Sequence, residues 1–162
     1  MGRRVFFSFH FERDIWRVNQ VRNSWVTQER EAAGFVDAAA FEEVKKGGEA
    51  AIHRWIDANL HGTSVTVVCI GAETGQRAYV LYEIQQSVAR GNGLLGVRIH
   101  NIKNMSGQTD HAGANPFAQV TDTRSSWRLP LSESVPVYDW VSDNGYANLG
   151  KWIEAAATSA GR

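Results

Sequence analysis

The sequence predicts an α/β fold of the flavodoxin-like, doubly wound kind: a mostly parallel five-stranded sheet with helices on both faces. Three observations carry this. Short apolar runs alternate with segments of helical periodicity in the order β-α-β-α-β-α-β, with connections of helical length throughout. Ser64 to Gly71 (SVTVVCIG) has the near-continuous apolar texture of a strand covered on both faces. The length of 162 residues fits one domain, 1–162, long enough to bury a proper core.

The elements follow in order. Val5 to Phe9 is a short apolar run between Arg3-Arg4 and His10, read as a central strand. Asp14 is a candidate cap for a helix on which Ile15, Val18, Arg22, Trp25 and Val26 recur. Gly34-Phe35-Val36 reads as a brief second strand ending at Asp37, followed by a loop to Gly48. Glu49 to Leu60 places Ile52, Trp55, Ile56 and Leu60 on one helical face. Ser64 to Gly71 is the third strand and Gln76 to Arg90 the next helix, stopped by Gly91-Asn92-Gly93. Leu94 to His100 is the fourth strand. Asn101 to Trp127 is polar, rich in Gly and Asn, and without clear period; a connection of that length is functional or mobile as a rule. Val135 to Trp140 makes a fifth strand, and Tyr146 to Ala157 a closing helix with Leu149, Trp152, Ile153 and Ala156 inward.

Composition narrows the function classes. Seventeen basic residues balance 17 acidic ones, so nothing in the overall charge argues for nucleic acid or a membrane surface as partner. No run approaches the roughly 20 apolar residues of a membrane span. MGRRVFFSFH offers no small-residue cleavage site, and the expected location is cytoplasmic and reduced. Cys69 is the one cysteine, which excludes an intramolecular disulfide and a cysteine-based zinc site. The five histidines show no metal-ligand spacing, and no metal is expected.

Three groups of residues are candidates for chemistry. Glu83 lies in the second turn of the helix that follows the third strand, beside the apolar Val80 and Ile84. It is either a half-shielded functional carboxylate between Tyr79 and Tyr82, or an ordinary glutamate favoured by the helix N-terminus. Ser8 and His10 end the first strand, and in a doubly wound sheet that end lies beside the end of the third. Arg17, Asn19 and Arg22 follow on the next helix, the arginines suited to a pyrophosphate or to surface ion pairs. Asp37, with Phe41, Lys45 and Lys46 beyond it, stands where nucleotide folds often hold a ribose hydroxyl. Neither GxGxxG nor GxxxxGK[ST] occurs in that loop, so no conventional dinucleotide site or P-loop is supported.

Taken together, RVFFSFH, RVNQVRNSW, VDAAAFEEVKK, SVTVVCIG, YVLYEI and GNGLLGVRIHNIK resemble the TIR-like ThsB family of bacterial Thoeris anti-phage systems. The resemblance runs from about Arg4 to Phe117. FFSF stands where TIR first strands end in a pattern like FISF, and YVLYEI puts Glu83 at the catalytic glutamate of the NAD-consuming members. Those members carry a tryptophan-cysteine pair a few residues before the acid; here Tyr79 and Val80 stand nearby instead. The resemblance implies a TIR-like fold and cleavage of the N-glycosidic bond of NAD, with NAD as substrate and no cofactor. Nicotinamide is released, and the ADP-ribose part becomes a cyclic or modified nucleotide signal. It implies substrate contacts at Phe7, Ser8, His10, Asn19, Asp37 and Tyr79. It also implies self-association through the Asp37–Gly48 loop, a phage-derived trigger, and an effector protein that senses the diffusible nucleotide. The alternative is a non-catalytic TIR-like scaffold that acts by protein–protein assembly.

Overall fold

The computed structural model describes residues 3–26, 31–33 and 38–162, with the backbone alone for 31–33 and 38–41. Among the described residues five strands form one sheet: β1 Arg4–Ser8, β2 Glu31–Ala33, β3 Val65–Ile70, β4 Gly93–Arg98 and β5 Val137–Asp139. Their order is β2-β1-β3-β4-β5 and every pairing is parallel. The chain thus moves outward in opposite directions from β1, and a crevice opens where β1 and β3 end side by side. Val5 pairs with Val65 and Ser8 with Val68, so β3 runs two residues past the end of β1 and the two carboxyl ends lie side by side.

Strand alternation assigns the two faces. Val5, Phe7 and Phe9 from β1 and its end, with Val65, Val67 and Cys69 from β3, pack on one side. They meet Val18, Val21 and Trp25 of α1 (Phe11–Val26) and Leu149 and Ile153 of α5 (Gly145–Ser159). The other face is covered by α3 (Gly48–Leu60) and α4 (Ala78–Ala89). There Phe6 packs on Ile52, Ile56 and Leu60, while Val68 and Ile70 pack on Val80, Ile84 and Phe117. All six residues of β3 are buried, as its unbroken apolar run requires. Gly91, at φ +77, turns the chain out of α4, a conformation that a side chain would strain.

Several expectations are corrected. Asp14 does not cap α1: the helix starts at Phe11, and the Asp14 amide donates to the His10 carbonyl at 2.9 Å. Its side chain is buried at the sheet edge instead. The expected loop to Gly48 contains a helix, α2 (Ala38–Lys45), whose sequence AAAFEEVK is composed mostly of good helix formers. The described part of β2 is Glu31–Ala33; the expected strand residues 34–36 and Asp37 lie outside the described residues.

The polar segment after β4 is pinned, not free. Arg17, 6% exposed, donates from Nε to the Ile102 carbonyl (2.6 Å) and from Nη2 to that of Gln108 (3.0 Å). Arg13 Nη2 meets Asp110 Oδ2 at 2.7 Å, and Arg98 Nη1 donates to the Gly113 carbonyl at 2.8 Å. These bonds lay residues 102–119 across the carboxyl edge of β3 and β4 as a strap. Gln119 Nε2 ties its far end to the Gly75 carbonyl.

Candidate active site

Glu83 is buried, at 5% exposure, although its place beside the apolar stripe of α4 left a surface position open. It faces Ser8 at the tip of β1. Burial pushes its carboxyl up to about 8, and the Ser8 hydroxyl pulls in the opposite direction. The two groups are neighbours without a well-formed hydrogen bond. Ser8 Oγ and Glu83 Oε2 are both buried and lack a partner among the described residues. A carboxyl with an open acceptor in a dry site is able to receive a ligand hydroxyl or to answer a ligand's positive charge.

His10 follows on the β1–α1 connection at 8% exposure, and its Nδ1 has no partner among the described residues. Its basicity is lowered by burial first and by Arg77 second, with Glu12 and Glu73 opposing. His10 shares a cavity of ≈ 320 Å³ with Ala72, Glu73, Gly75, Gln76, Arg77 and Ala114. That cavity sits above the ends of β1 and β3, where open α/β sheets bind ligands. Glu83 lies further along α4 and is not part of this wall. A larger cavity, ≈ 740 Å³, lies at the opposite edge, against the starts of β4 and β5 and the end of α5. It holds none of the groups just described. Chemistry and topology both point to the smaller one.

The remaining sequence candidates separate. Phe7 is 1% exposed and packs toward α1 and α5, so alternation puts it across the sheet from Ser8 and Glu83. Tyr79 is half-buried against Phe6 and α3, with the His53 ring edge-on at 6.5 Å, which makes it a side wall on the face of Glu83. Asn19 is half-buried in the third turn of α1. Arg17 is committed to the strap, which argues against a phosphate role. Arg22 lies partly buried near Cys69.

Two residues at the edge escaped the sequence reading. Asp14, 1% exposed, is pushed up to about 6 by burial, against the pull of Arg13 and Arg17. Its Oδ2 takes a long hydrogen bond from Thr74 Oγ1 at 3.4 Å, and Thr74 Oγ1 in turn accepts from the Gly71 amide at 2.8 Å. Asp14 therefore braces the β3–α4 loop from below. Arg77 stands at the head of α4 and reaches Glu12 at 3.5 Å. A helix-start aspartate reads as a cap and a loop arginine as a surface charge, so neither carried a signal. Among the described residues no group of three or more His, Cys, Asp or Glu side chains is placed to hold a metal ion. None of the described helices is long and apolar enough to cross a membrane.

Comparison with known proteins fits this geometry. A Bacillus cereus (strain MSX-D12) protein named "Putative cyclic ADP-D-ribose synthase ThsB1" is 36% identical over 191 aligned positions, which take in 94% of this chain and all of that protein. Residues 6–104, which hold the end of β1, all of β3 and α4, and Glu83, match the family described as "Thoeris protein ThsB, TIR-like domain". With the parallel sheet in the order β2-β1-β3-β4-β5 and the match over most of the chain, this protein belongs to the TIR-like ThsB family of Thoeris proteins.

Proposed function

We propose that the chain cleaves the N-glycosidic bond of NAD, releases nicotinamide, and closes the ADP-ribose part into a cyclic nucleotide signal. The observation that carries this is the buried Glu83 carboxyl facing the tip of β1 with an unpartnered oxygen. The name of the Bacillus cereus relative supports the same chemistry. Heterolysis of the C1′–N bond leaves its electron pair on nicotinamide, which departs neutral. No general acid is needed for that leaving group, unlike in most glycoside hydrolysis.

The ribose then carries oxocarbenium character, and a fixed carboxylate beside it stabilises that charge and orients the hydroxyls. In the empty site Glu83 holds its proton. Arrival of the positively charged nicotinamide riboside favours the ionised form, so substrate itself draws the carboxyl into its working state. The fate of C1′ depends on the nucleophile. Water gives ADP-ribose with loss of a proton, whereas an adenine ring nitrogen attacking through its lone pair, or a hydroxyl of the adenosine half that loses its proton, gives a ring. A strap of residues 102–119 over the edge favours the second outcome by keeping water out. On this reading Ser8, His10 and Tyr79 contact substrate, and Asp37 and Asn19 complete the pocket in the assembled, triggered state. A partner effector reads the product.

The test is nicotinamide release by purified protein, with and without infected-cell lysate as trigger, for wild type and Glu83→Gln. The expected result is a loss of at least about 100-fold in the variant, the scale of a transition-state charge contact. Equal turnover in both proteins overturns the assignment.

A further inference from the structure

The crevice contains a second set of groups that Glu83 chemistry does not use. Arg77 occupies the cap position of α4, and no side chain caps that helix. The first helical bond runs from the Leu81 amide to the Arg77 carbonyl at 3.0 Å. The amides of Ala78, Tyr79 and Val80 therefore belong to the turn that a helix leaves without internal acceptors, at the positive end of its dipole. A helix N-terminus alone is common. Here it is joined by His10, 8% exposed and unpartnered at Nδ1, and by Arg77, both in the wall of the ≈ 320 Å³ cavity.

We propose that this cavity is an anion site that takes a phosphate or diphosphate group, held by Arg77 and His10 with the positive end of the α4 dipole behind Arg77. A guanidinium at a helix head matches the oxygens of such a group. The acidic neighbours are already engaged. Glu73 pairs with Arg13 at 2.7 Å, and Glu12 with Lys45 at 3.3 Å and Arg77 at 3.5 Å. An entering anion takes Arg77 from Glu12, which keeps Lys45. Glu83 lies five residues beyond Ala78, about 7.5 Å along the same helix axis. A diphosphate at the helix head therefore leaves space of about one ribose before the carboxyl. Assigning the anion to the diphosphate of a dinucleotide rests on the NAD reading; the anion site itself does not.

Calorimetric titration of the full chain with inorganic pyrophosphate and with ADP-ribose, at fixed ionic strength, tests this. Arg77→Gln is expected to weaken both ligands at least tenfold, and Arg77→Lys to restore part of the loss. Glu12→Gln, which frees Arg77, is expected to tighten both several-fold. Glu83→Gln is expected to leave pyrophosphate binding unchanged. The His10 ring, followed by NMR, is expected to titrate at higher pH with pyrophosphate bound. Wild-type affinity in Arg77→Gln, or no pyrophosphate binding by wild type, overturns the anion site. Pyrophosphate binding that obeys these variants, with no nicotinamide released under any trigger, leaves the site standing and removes the NAD reading. Nicotinamide release that depends on Glu83, with ADP-ribose affinity indifferent to Arg77, does the reverse.

Discussion

A carboxyl buried without a counter-ion keeps its proton, and that makes Glu83 a measurable liability as well as a tool. Its ordinary value of 4.5 rises to about 8 in the fold, chiefly through burial. Between those two values the native chain binds more protons than the unfolded one. Its stability contribution is therefore intact below about pH 4.5 and is lost as pH rises through about 8. Glu83→Gln removes the titration. The Tm difference, variant minus wild type, is expected to grow from pH 5 to pH 8 and then level off. The linkage amounts to on the order of 3 kcal/mol at neutral pH before the buried amide's own needs are subtracted. Asp14, pushed up to about 6, adds a similar slope at lower pH, but it is common to both proteins and cancels in the difference. A Tm difference that is flat with pH would show that the acid is not buried. In turnover, kcat/KM is expected to rise with pH toward about 8, since it reports the free enzyme. YVLYEI made the position of Glu83 legible in the sequence, but its burial was not. The spacing put it beside the apolar stripe, and only the approach of β1 through Ser8 closes it off.

The strap of residues 102–119 is where periodicity gave least and tertiary pairing gives most. Arg17 and Ile102 are 85 positions apart, and Arg13 and Asp110 are 97 apart, so no local pattern announces the contacts. Helix α2, expected as loop, is only eight residues long, and its run of helix formers is the one local sign of it. The strap lies close against the β3–α4 loop at Gly113. A Cβ there would meet the Gly71 carbonyl oxygen at 2.2 Å and that of Ala72 at 2.6 Å, both main chain and unable to yield cheaply. Gly113→Ala is expected to lift the strap from the β3–α4 loop at a cost of about 1–3 kcal/mol, the range for overpacking. Product analysis by mass spectrometry is expected to show the ratio of ADP-ribose to cyclic product rising several-fold as water gains access. An unchanged ratio would separate the strap from the choice of nucleophile.

The three-layer architecture, a sheet between two layers of helices, was the most legible feature because its cause is simple. Strands covered on both faces need continuous apolar sequence, and parallel strands need helical crossovers. Both patterns are written along Val5–Phe9, Ser64–Gly71 and Leu94–His100. That architecture also divides the molecule into a supporting half and a reacting half. Leu149 and Ile153 of α5 pack with Phe7, Cys69 and Val97 on one face, while Ser8 and Glu83 meet on the other. Ile153 is fully buried, so Ile153→Ala removes packed methyl groups and leaves a cavity that costs about 2–5 kcal/mol. For a chain of this length that corresponds to a fall in Tm of about 5–15 °C. Nothing in the crevice changes its neighbours, however. The pH midpoint of kcat/KM is therefore expected to stay within about 0.3 units of wild type at a temperature where both proteins are folded. Melting curves and pH profiles measured on the same two preparations decide this. A lowered Tm with an unmoved midpoint places the dry environment of Glu83 in the α3–α4 layer, and a midpoint that falls with Tm would mean that the sheet transmits loosening from one face to the other.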